Sequence, residues 1–119
     1  IVLGVFPISK PEKWDMVTLD ADQLVREIVI KPKTGDYKYG WGIAAWKPEF
    51  SSYLNKYVSK SITDNSAEQL MKNELHFGNA IISAMESGMK VQGVLFEGGN
   101  CLDTGTPEEM RIASEFAHF

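Results

Sequence analysis

The residues best suited to chemistry lie together near the carboxyl end of the chain. Asp103 comes directly before residues 104–107, which read Thr-Gly-Thr-Pro. This order predicts a carboxylate in a tight turn just before a helix, because threonine caps helices and proline suits the first helical position. Helix amino termini and turn amides favour anions. When the anion is a phosphate, a neighbouring aspartate is a natural Mg²⁺ ligand, because Mg²⁺ takes one or two carboxylates plus phosphate oxygens.

A second interpretation of the same turn involves no ligand. Asp103 and Thr104 can form an Asx-type turn, in which the side chain accepts a hydrogen bond from a nearby backbone N–H. Most turn aspartates do only this, so spacing alone favours the structural role.

Other catalytic patterns are missing from the sequence. There is no phosphate-binding glycine loop, no G-x-G-x-x-G after a strand and no G-x-S-x-G elbow. His76 is predicted in the middle of a helix and His118 near the end of the last one, a spacing that does not suit a metal site. Cys101, in a predicted short strand, is interpreted as a small buried hydrophobic residue. No pattern predicts nucleophilic catalysis.

Composition narrows the class of protein. The chain has 119 residues, of which 44% are hydrophobic and 24% charged, as in ordinary globular domains. Its formal net charge of -4 argues against electrostatic capture of nucleic acid or of an anionic membrane. The single cysteine excludes an internal disulfide and is typical of a reducing compartment. We therefore expect a globular, cytoplasmic protein that binds neither nucleic acid nor membrane.

The elements that must position these residues begin with strands. The strand candidates are residues 1–6, 16–19, 24–30 and 41–46. The second and third are predicted to form a hairpin, because Asp20 and Asp22 favour a turn between them. Lys31-Pro32 ends the hairpin, since proline cannot donate to a central ladder, and residues 33–40 are predicted to be a loop.

Helices dominate the rest of the chain. One is predicted from Pro48, with an apolar stripe at helical spacing, and a second from the Ser66 capping box to Gly88. Residues 91–96 and 100–102 are predicted to form a terminal β-hairpin, followed by a last helix from Pro107 towards Phe119. The fold class is therefore α/β, with a mixed sheet, flanking helices and a terminal β-hairpin plus helix.

The opening of the chain predicts that residues 1–119 are part of a longer protein. An apolar strand starts at Ile1 with no initiator Met and no polar residues before it. Buried strands rarely begin a natural chain in this way, so we expect a segment of a larger protein.

The order of four motifs resembles the sugar-phosphate nucleotidylyltransferases, also called nucleoside-diphosphate-sugar pyrophosphorylases. Residues 102–107 (LDTGTP) are similar to the L-D-T-G-T or L-D-I-G-T-P-E signature of that family. Residues 11–20 (PEKWDMVTLD) resemble P-E-(R/K)-(Y/F)-G-x-V-x-x-D, residues 30–32 (IKP) resemble E-K-P, and residues 41–46 (WGIAAW) resemble the glycine-bearing strand that follows. The resemblance covers essentially the whole chain, in the expected order.

The resemblance implies a fold, a reaction and a set of site residues. The chain would be the C-terminal, sugar-phosphate side of a Rossmann-like nucleotidyltransferase domain, which converts a nucleoside triphosphate and a sugar 1-phosphate into an NDP-sugar and pyrophosphate. Asp103 would be the second metal-binding aspartate, holding Mg²⁺ together with an aspartate of the N-terminal half. Lys31 would contact the phosphate of the sugar, although a solvated strand-end lysine is the alternative. Gly42 would line the sugar pocket with Trp41 beside it. Trp41 could equally be a core aromatic, and Trp46 is interpreted as one.

The chain also departs from the family pattern. Ile30 stands where many members have a sugar-binding Glu, and Asp15 where many have Gly. The glycine-rich G-x-G-T-R-L-x-P-x-T-K segment and the first metal-binding aspartate are expected in an N-terminal nucleotide-binding part outside these 119 residues. The chain alone is therefore predicted to be inactive.

Two alternatives to the enzyme are open, and the departures at Ile30 and Asp15 favour the first. The first is a sugar-phosphate-binding or regulatory module without catalysis, derived from the same fold. The second is a structural piece whose exposed strand edges pair with another copy of the chain.

Overall fold

The computed structural model describes residues 1–116 as a mixed α/β fold. Its strands are β1 (Val2–Pro7), β2 (Asp15–Leu19), β3 (Val25–Ile30), β4 (Tyr39–Ala45) and β5 (Gln92–Leu95). Its helices are α1 (Pro48–Asp64), α2 (Ala67–Lys72), α3 (Phe77–Glu86) and α4 (Pro107–Phe116), and a 3-10 turn spans Pro11–Lys13. Within these residues, no helix combines the length and the apolar character needed to cross a membrane.

The strands form one mixed sheet in the order β3-β2-β4-β1-β5. β1 pairs antiparallel with β4 and parallel with β5, and β2 pairs antiparallel with both β3 and β4. An isolated antiparallel bridge joins Leu24, just before β3, to Gln92 of β5. The prediction of a mixed sheet with flanking helices is confirmed.

The core lies between one face of the sheet and the helices α1 and α3. Leu3 and Val5 of β1 are completely buried there and belong to one cluster with Phe50 of α1 and Ile81 of α3. Full burial of one such side chain stabilises a fold by about 1.5–3 kcal/mol. This cluster therefore fixes α3 against one face of the sheet. The helices α1 and α3 do not cover the opposite face.

The β2–β3 hairpin forms as predicted, and its turn is held by one aspartate. Asp20 Oδ1 accepts hydrogen bonds from the backbone N–H groups of Asp22 at 2.9 Å and Leu24 at 3.0 Å. Its Oδ2 accepts from Nε of Arg26 at 2.6 Å. β4 begins at Tyr39, two residues earlier than the predicted strand, so the loop before it is shorter than expected.

The single helix predicted from Ser66 to Gly88 is wrong, because the structure contains two helices there. The capping box at Ser66 forms with Gln69, but α2 ends at Lys72. Asn73 is extended, and Asn is a poor helix former. α2 has no buried residue, whereas α3 buries four residues on one face. Packing on the sheet therefore sets the direction of α3 independently of α2.

Two predictions on histidine residues meet different outcomes. His76 is not in the middle of a helix, as expected, but at the N-cap of α3. The same break between α2 and α3 explains the difference. His118 lies outside the described residues.

The predicted terminal hairpin is also wrong. β5 pairs with β1, and residues 100–102 form no strand. After β5 the chain turns, because Gly99 N–H donates to the Phe96 carbonyl at 3.0 Å. The ring of Phe96 stacks on Phe6 with centroids 5.1 Å apart. The following residues then run over the sheet face that α1 and α3 leave open, where they cannot extend a strand ladder.

Trp46 is more exposed than a core aromatic. Its exposed fraction is 42%. The indole N–H donates to Ser51 Oγ at 3.0 Å, and the ring packs against Phe50 and Phe77. Trp46 therefore covers the rim of the core instead of lying inside it, and the prediction of a core position is wrong.

Candidate functional site

A groove of about 1060 Å³ contains Asp103, the residue singled out first from the sequence. One wall is formed by the connection between β1 and β2, which contributes Lys10, Lys13 and Trp14, and by the loop before β4. The other wall is formed by residues 100–103 and the first turn of α4. The volume is that of a small-molecule site.

The first wall is compact because of two prolines and one long-range hydrogen bond. Pro7 ends β1, and Pro11 starts the 3-10 turn, in which Trp14 N–H donates to the Pro11 carbonyl at 3.1 Å. Ile8 N–H donates to the Lys38 carbonyl at 2.9 Å, which joins the loop before β4 to this connection. Lys10, Lys13 and Lys38 are thereby brought to one groove.

The second wall rests on the sheet through Cys101 and Gly42. A Cβ atom on Gly42 would lie 2.9 Å from Cys101 Sγ and 3.5 Å from the ring of Trp14. Only glycine lets the chain at Cys101 approach β4 this closely. Burial raises the pKa of the Cys101 thiol, and the charge of Asp103 raises it further. Cys101 is therefore a packing residue, but it is only partly buried and lies outside any strand, so the prediction of a buried strand residue is wrong.

Asp103 is exposed and occupies the predicted turn before α4, but the residues directly before it, 100–102, form no strand. Its Oδ1 accepts a hydrogen bond from the backbone N–H of Gly105 at 3.0 Å. This is the Asx-type turn that was the structural alternative. The second oxygen, Oδ2, takes no part in this bond, so the turn and a ligand contact are compatible.

The surroundings of Asp103 limit how it could hold a metal ion. Among residues 1–116, no three His, Cys, Asp or Glu side chains cluster as a metal site. Asp103 would bring one carboxylate, and the other ligands would be phosphate oxygens and water. Mg²⁺ accepts such a set, since it usually keeps several waters and takes few protein ligands. The donor chemistry therefore fits Mg²⁺ delivered with a phosphorylated ligand.

An ion pair crosses the groove from Lys13 to α4. Lys13 Nζ lies 2.8 Å from Oε1 of Glu109. The hydrogen bond to Glu109 raises the pKa of Lys13, and the nearby charge of Asp103 raises it further. The same bond lowers the pKa of the Glu109 carboxyl, with a second contribution from the Thr106 hydroxyl. Lys13 is therefore paired with Glu109 and is also influenced by the charge of Asp103.

The start of α4 confirms the predicted capping pattern. Glu109 N–H donates to Thr106 Oγ1 at 3.2 Å, and the Thr106 hydroxyl donates to Glu109 Oε2 at 2.9 Å. Glu109 consequently has two roles, because one carboxylate oxygen caps the helix and the other pairs with Lys13.

Lys31 does not line this groove. It is exposed, follows β3 and has a positive φ of 41°. Its backbone N–H donates to the Trp14 carbonyl at 3.1 Å, so its main chain adjoins one groove residue.

Trp41 and Gly42 are consecutive residues of β4 with different surroundings. Trp41 packs against Phe77 of α3, with ring centroids 6.0 Å apart, and belongs to the core-facing side. Its indole N–H is buried without a hydrogen-bond partner in residues 1–116. The structure thus brings Gly42, through Cys101, to the groove of Asp103 and places Trp41 against α3.

The two departures from the family motifs lie opposite each other. Asp15 pairs with Ile30 in the β2–β3 register. A Cβ atom on Gly78, at the start of α3, would lie 2.5 Å from Asp15 Oδ2 and 2.6 Å from Ile30 Cδ1. Burial raises the pKa of Asp15, while the charges of His76 and Lys31 act in the opposite direction. These side chains pack the sheet against the first turn of α3.

Sequence reasoning missed the three lysines of the groove and the partner of Lys13. Lys13 stands in the PEK motif, but its partner is 96 residues away. For Glu109 the sequence predicted only a role in capping the helix. No pattern along the chain indicates that these two residues meet.

Comparisons with known proteins do not assign a family. No protein-family model matches the chain, and a search of curated proteins found no match. The likeness to nucleotidylyltransferases therefore rests on the four motifs and their order.

Proposed function

We propose that this chain forms the sugar-phosphate side of a Rossmann-like sugar-1-phosphate nucleotidyltransferase. The observation that carries the proposal is the position of Asp103. It lies in the LDTGTP motif, at the capped start of α4, in a groove whose other wall contains three lysines. Carboxylate, lysines and helix amino terminus together suit a phosphorylated ligand with Mg²⁺.

The proposed reaction is an in-line displacement. A phosphate oxygen of the sugar 1-phosphate attacks the α-phosphorus of the nucleoside triphosphate, the bond from that phosphorus to the bridging oxygen breaks, and pyrophosphate leaves. Such a reaction needs little covalent chemistry from the protein, which orients the reactants and offsets their negative charge.

The residues of this chain have separate roles in the proposal. Asp103 would hold Mg²⁺ near the phosphates, and the ion would offset developing negative charge. The family motifs would assign Lys31 to the phosphate of the sugar and Gly42 and Trp41 to the sugar pocket. Gly42 adjoins the groove of Asp103 through Cys101, whereas Lys31 lies outside the groove lining and Trp41 packs against Phe77 of α3. The nucleotide would be held by the N-terminal half that these motifs imply.

A binding module without catalysis is the second candidate. The observation that favours it is the position of Ile30, which packs towards Gly78 where the family motif carries a sugar-binding Glu. A chain of this kind would still offer a lysine-lined groove to a phosphate.

The experiment is a turnover assay on the complete gene product that contains this chain. Purified protein is incubated with Mg²⁺, each nucleoside triphosphate and a panel of sugar 1-phosphates, and NDP-sugar is detected by chromatography. We expect one combination to react, and Asp103→Asn to reduce its rate by orders of magnitude. Asp64→Asn, at the exposed end of α1, is the matched control and should leave the rate unchanged.

The outcomes separate the candidates. Binding of a sugar phosphate without NDP-sugar formation would favour the binding module. A fully active Asp103→Asn protein would end the assignment of Asp103 to the metal.

A further inference from the structure

The ion pair between Lys13 and Glu109 is open to solvent and lies inside the groove. The Lys13 side chain is 49% exposed and the Glu109 side chain 18% exposed. Both residues belong to the groove lining. A ligand that enters the groove would therefore meet this pair directly, with no movement of the core.

Some of the charged residues that line the groove form ion pairs, and others do not. Lys10 and Lys38 line it, and neither takes part in an ion pair within residues 1–116. Glu108 is already paired with Arg111 of its own helix at 2.8 Å. Three lysines thus face two other carboxylates, those of Glu109 and Asp103. One additional anion would improve this balance.

The shape and chemistry of the groove suit a phosphorylated small molecule. Its volume of about 1060 Å³ exceeds what a bare ion needs, and Trp14 and Tyr37 add aromatic surface beside the lysines. A phosphate offers at least three acceptor oxygens to the three lysines, whereas a carboxylate offers two. Lysine ammonium groups bind phosphates as point charges.

We propose that Glu109 stands in for the phosphate of a ligand: Lys13, with Lys10 and Lys38, binds the phosphate group of a phosphorylated small molecule, and this binding displaces Glu109 from Lys13. The ligand phosphate and the Glu109 carboxylate compete for one ammonium group. The identity of the ligand as a sugar phosphate rests on the proposed function, but the competition itself does not require catalysis.

The test is an NMR titration of the complete gene product with glucose 1-phosphate at low, constant ionic strength. Glu109→Gln keeps an oxygen that can accept from the Thr106 hydroxyl but removes the competing charge. We expect it to bind the probe roughly two- to fivefold more tightly, the range of exposed ion pairs. Lys13→Gln should bind correspondingly more weakly, and Glu109→Gln should bring no tightening in the Lys13→Gln background.

Matched variants exclude a general effect of charge. Glu115→Gln removes a carboxylate from the same helix, and Lys72→Gln removes a lysine that pairs with Glu68 on α2. Neither residue lines the groove, and both variants should bind as the parent chain does. Uncharged glucose should not bind.

Several results would overturn the proposal. These are an absence of glucose 1-phosphate binding, an unchanged or weaker affinity of Glu109→Gln, and equal tightening by Glu115→Gln. If the gene product forms NDP-sugar while Glu109→Gln does not tighten binding, the competition is refuted and the proposed function stands. If the affinities follow the expected pattern without NDP-sugar formation, the phosphate site stands and nucleotidyl transfer is refuted.

Discussion

Replacing Gly42 by alanine tests whether the wall of the groove rests on β4 as the structure has it. The new Cβ would lie 2.9 Å from Cys101 Sγ, closer than real Cβ atoms come to a neighbour, so Cys101 has to move. Forcing an extra methyl group into packed structure typically costs about 1–3 kcal/mol. For a chain of this size, each kcal/mol corresponds to a fall of about 4 °C in Tm.

The measurement is thermal unfolding followed by circular dichroism. Gly98→Ala is the matched control, because a Cβ atom at Gly98 would meet nothing within 4 Å. Cys101→Ala should relieve the contact, so the double variant Gly42→Ala/Cys101→Ala should recover part of the lost stability. If Gly42→Ala melts at the same temperature as Gly98→Ala, Cys101 does not pack over β4, and the described groove is wrong.

Three further predictions concern Lys31, Asp15 and Asp103. Lys31→Ala in the complete gene product should reduce kcat/KM for sugar 1-phosphate roughly ten- to hundredfold and leave nucleotide binding largely unchanged, because one charge-assisted contact is lost; unchanged steady-state kinetics would return Lys31 to a solvated role. Burial raises the pKa of Asp15 above its ordinary value of 3.8, so ionisation of this carboxyl opposes folding. The free energy of unfolding therefore falls as the pH rises from below 3.8 through the raised pKa of the folded state. Asp15→Asn should therefore melt at a higher temperature than the parent at pH 7, and the difference should vanish towards pH 3; a difference independent of pH would contradict this. Asp103→Asn should melt as the parent does, since Asn can accept from the Gly105 N–H, whereas Asp103→Ala should melt lower; equal melting of both variants would show that the turn bond is dispensable.

Local rules were sufficient where a few neighbouring residues decide the conformation. Asp20 supplies the turn of the β2–β3 hairpin, and Thr106 with Pro107 begins α4, so both features could be predicted from the sequence. The prediction of one helix from Ser66 to Gly88 was wrong because the apolar residues keep helical spacing across residues 73–76. The break there accompanies the packing of α3 on the sheet, and this packing involves strands that are distant in sequence. The terminal hairpin failed for a related reason. The strand predicted at β5 is correct, but it pairs with β1. Gln92 lies opposite Val2, which is 90 residues earlier in the chain.

The candidate site shows the same division between local and distant information. The turn at Asp103 was predicted because its hydrogen bond spans two residues, whereas the Lys13–Glu109 pair spans 96. Only the fold shows that the PEK motif and the LDTGTP motif face each other across one groove. Each motif alone has a structural explanation, in a 3-10 turn and in an Asx-type turn. Their meeting around three lysines and Asp103 has no such explanation in packing, because the charged groups are exposed and stabilise the fold little. Binding of a phosphorylated ligand would explain why these charged residues lie together.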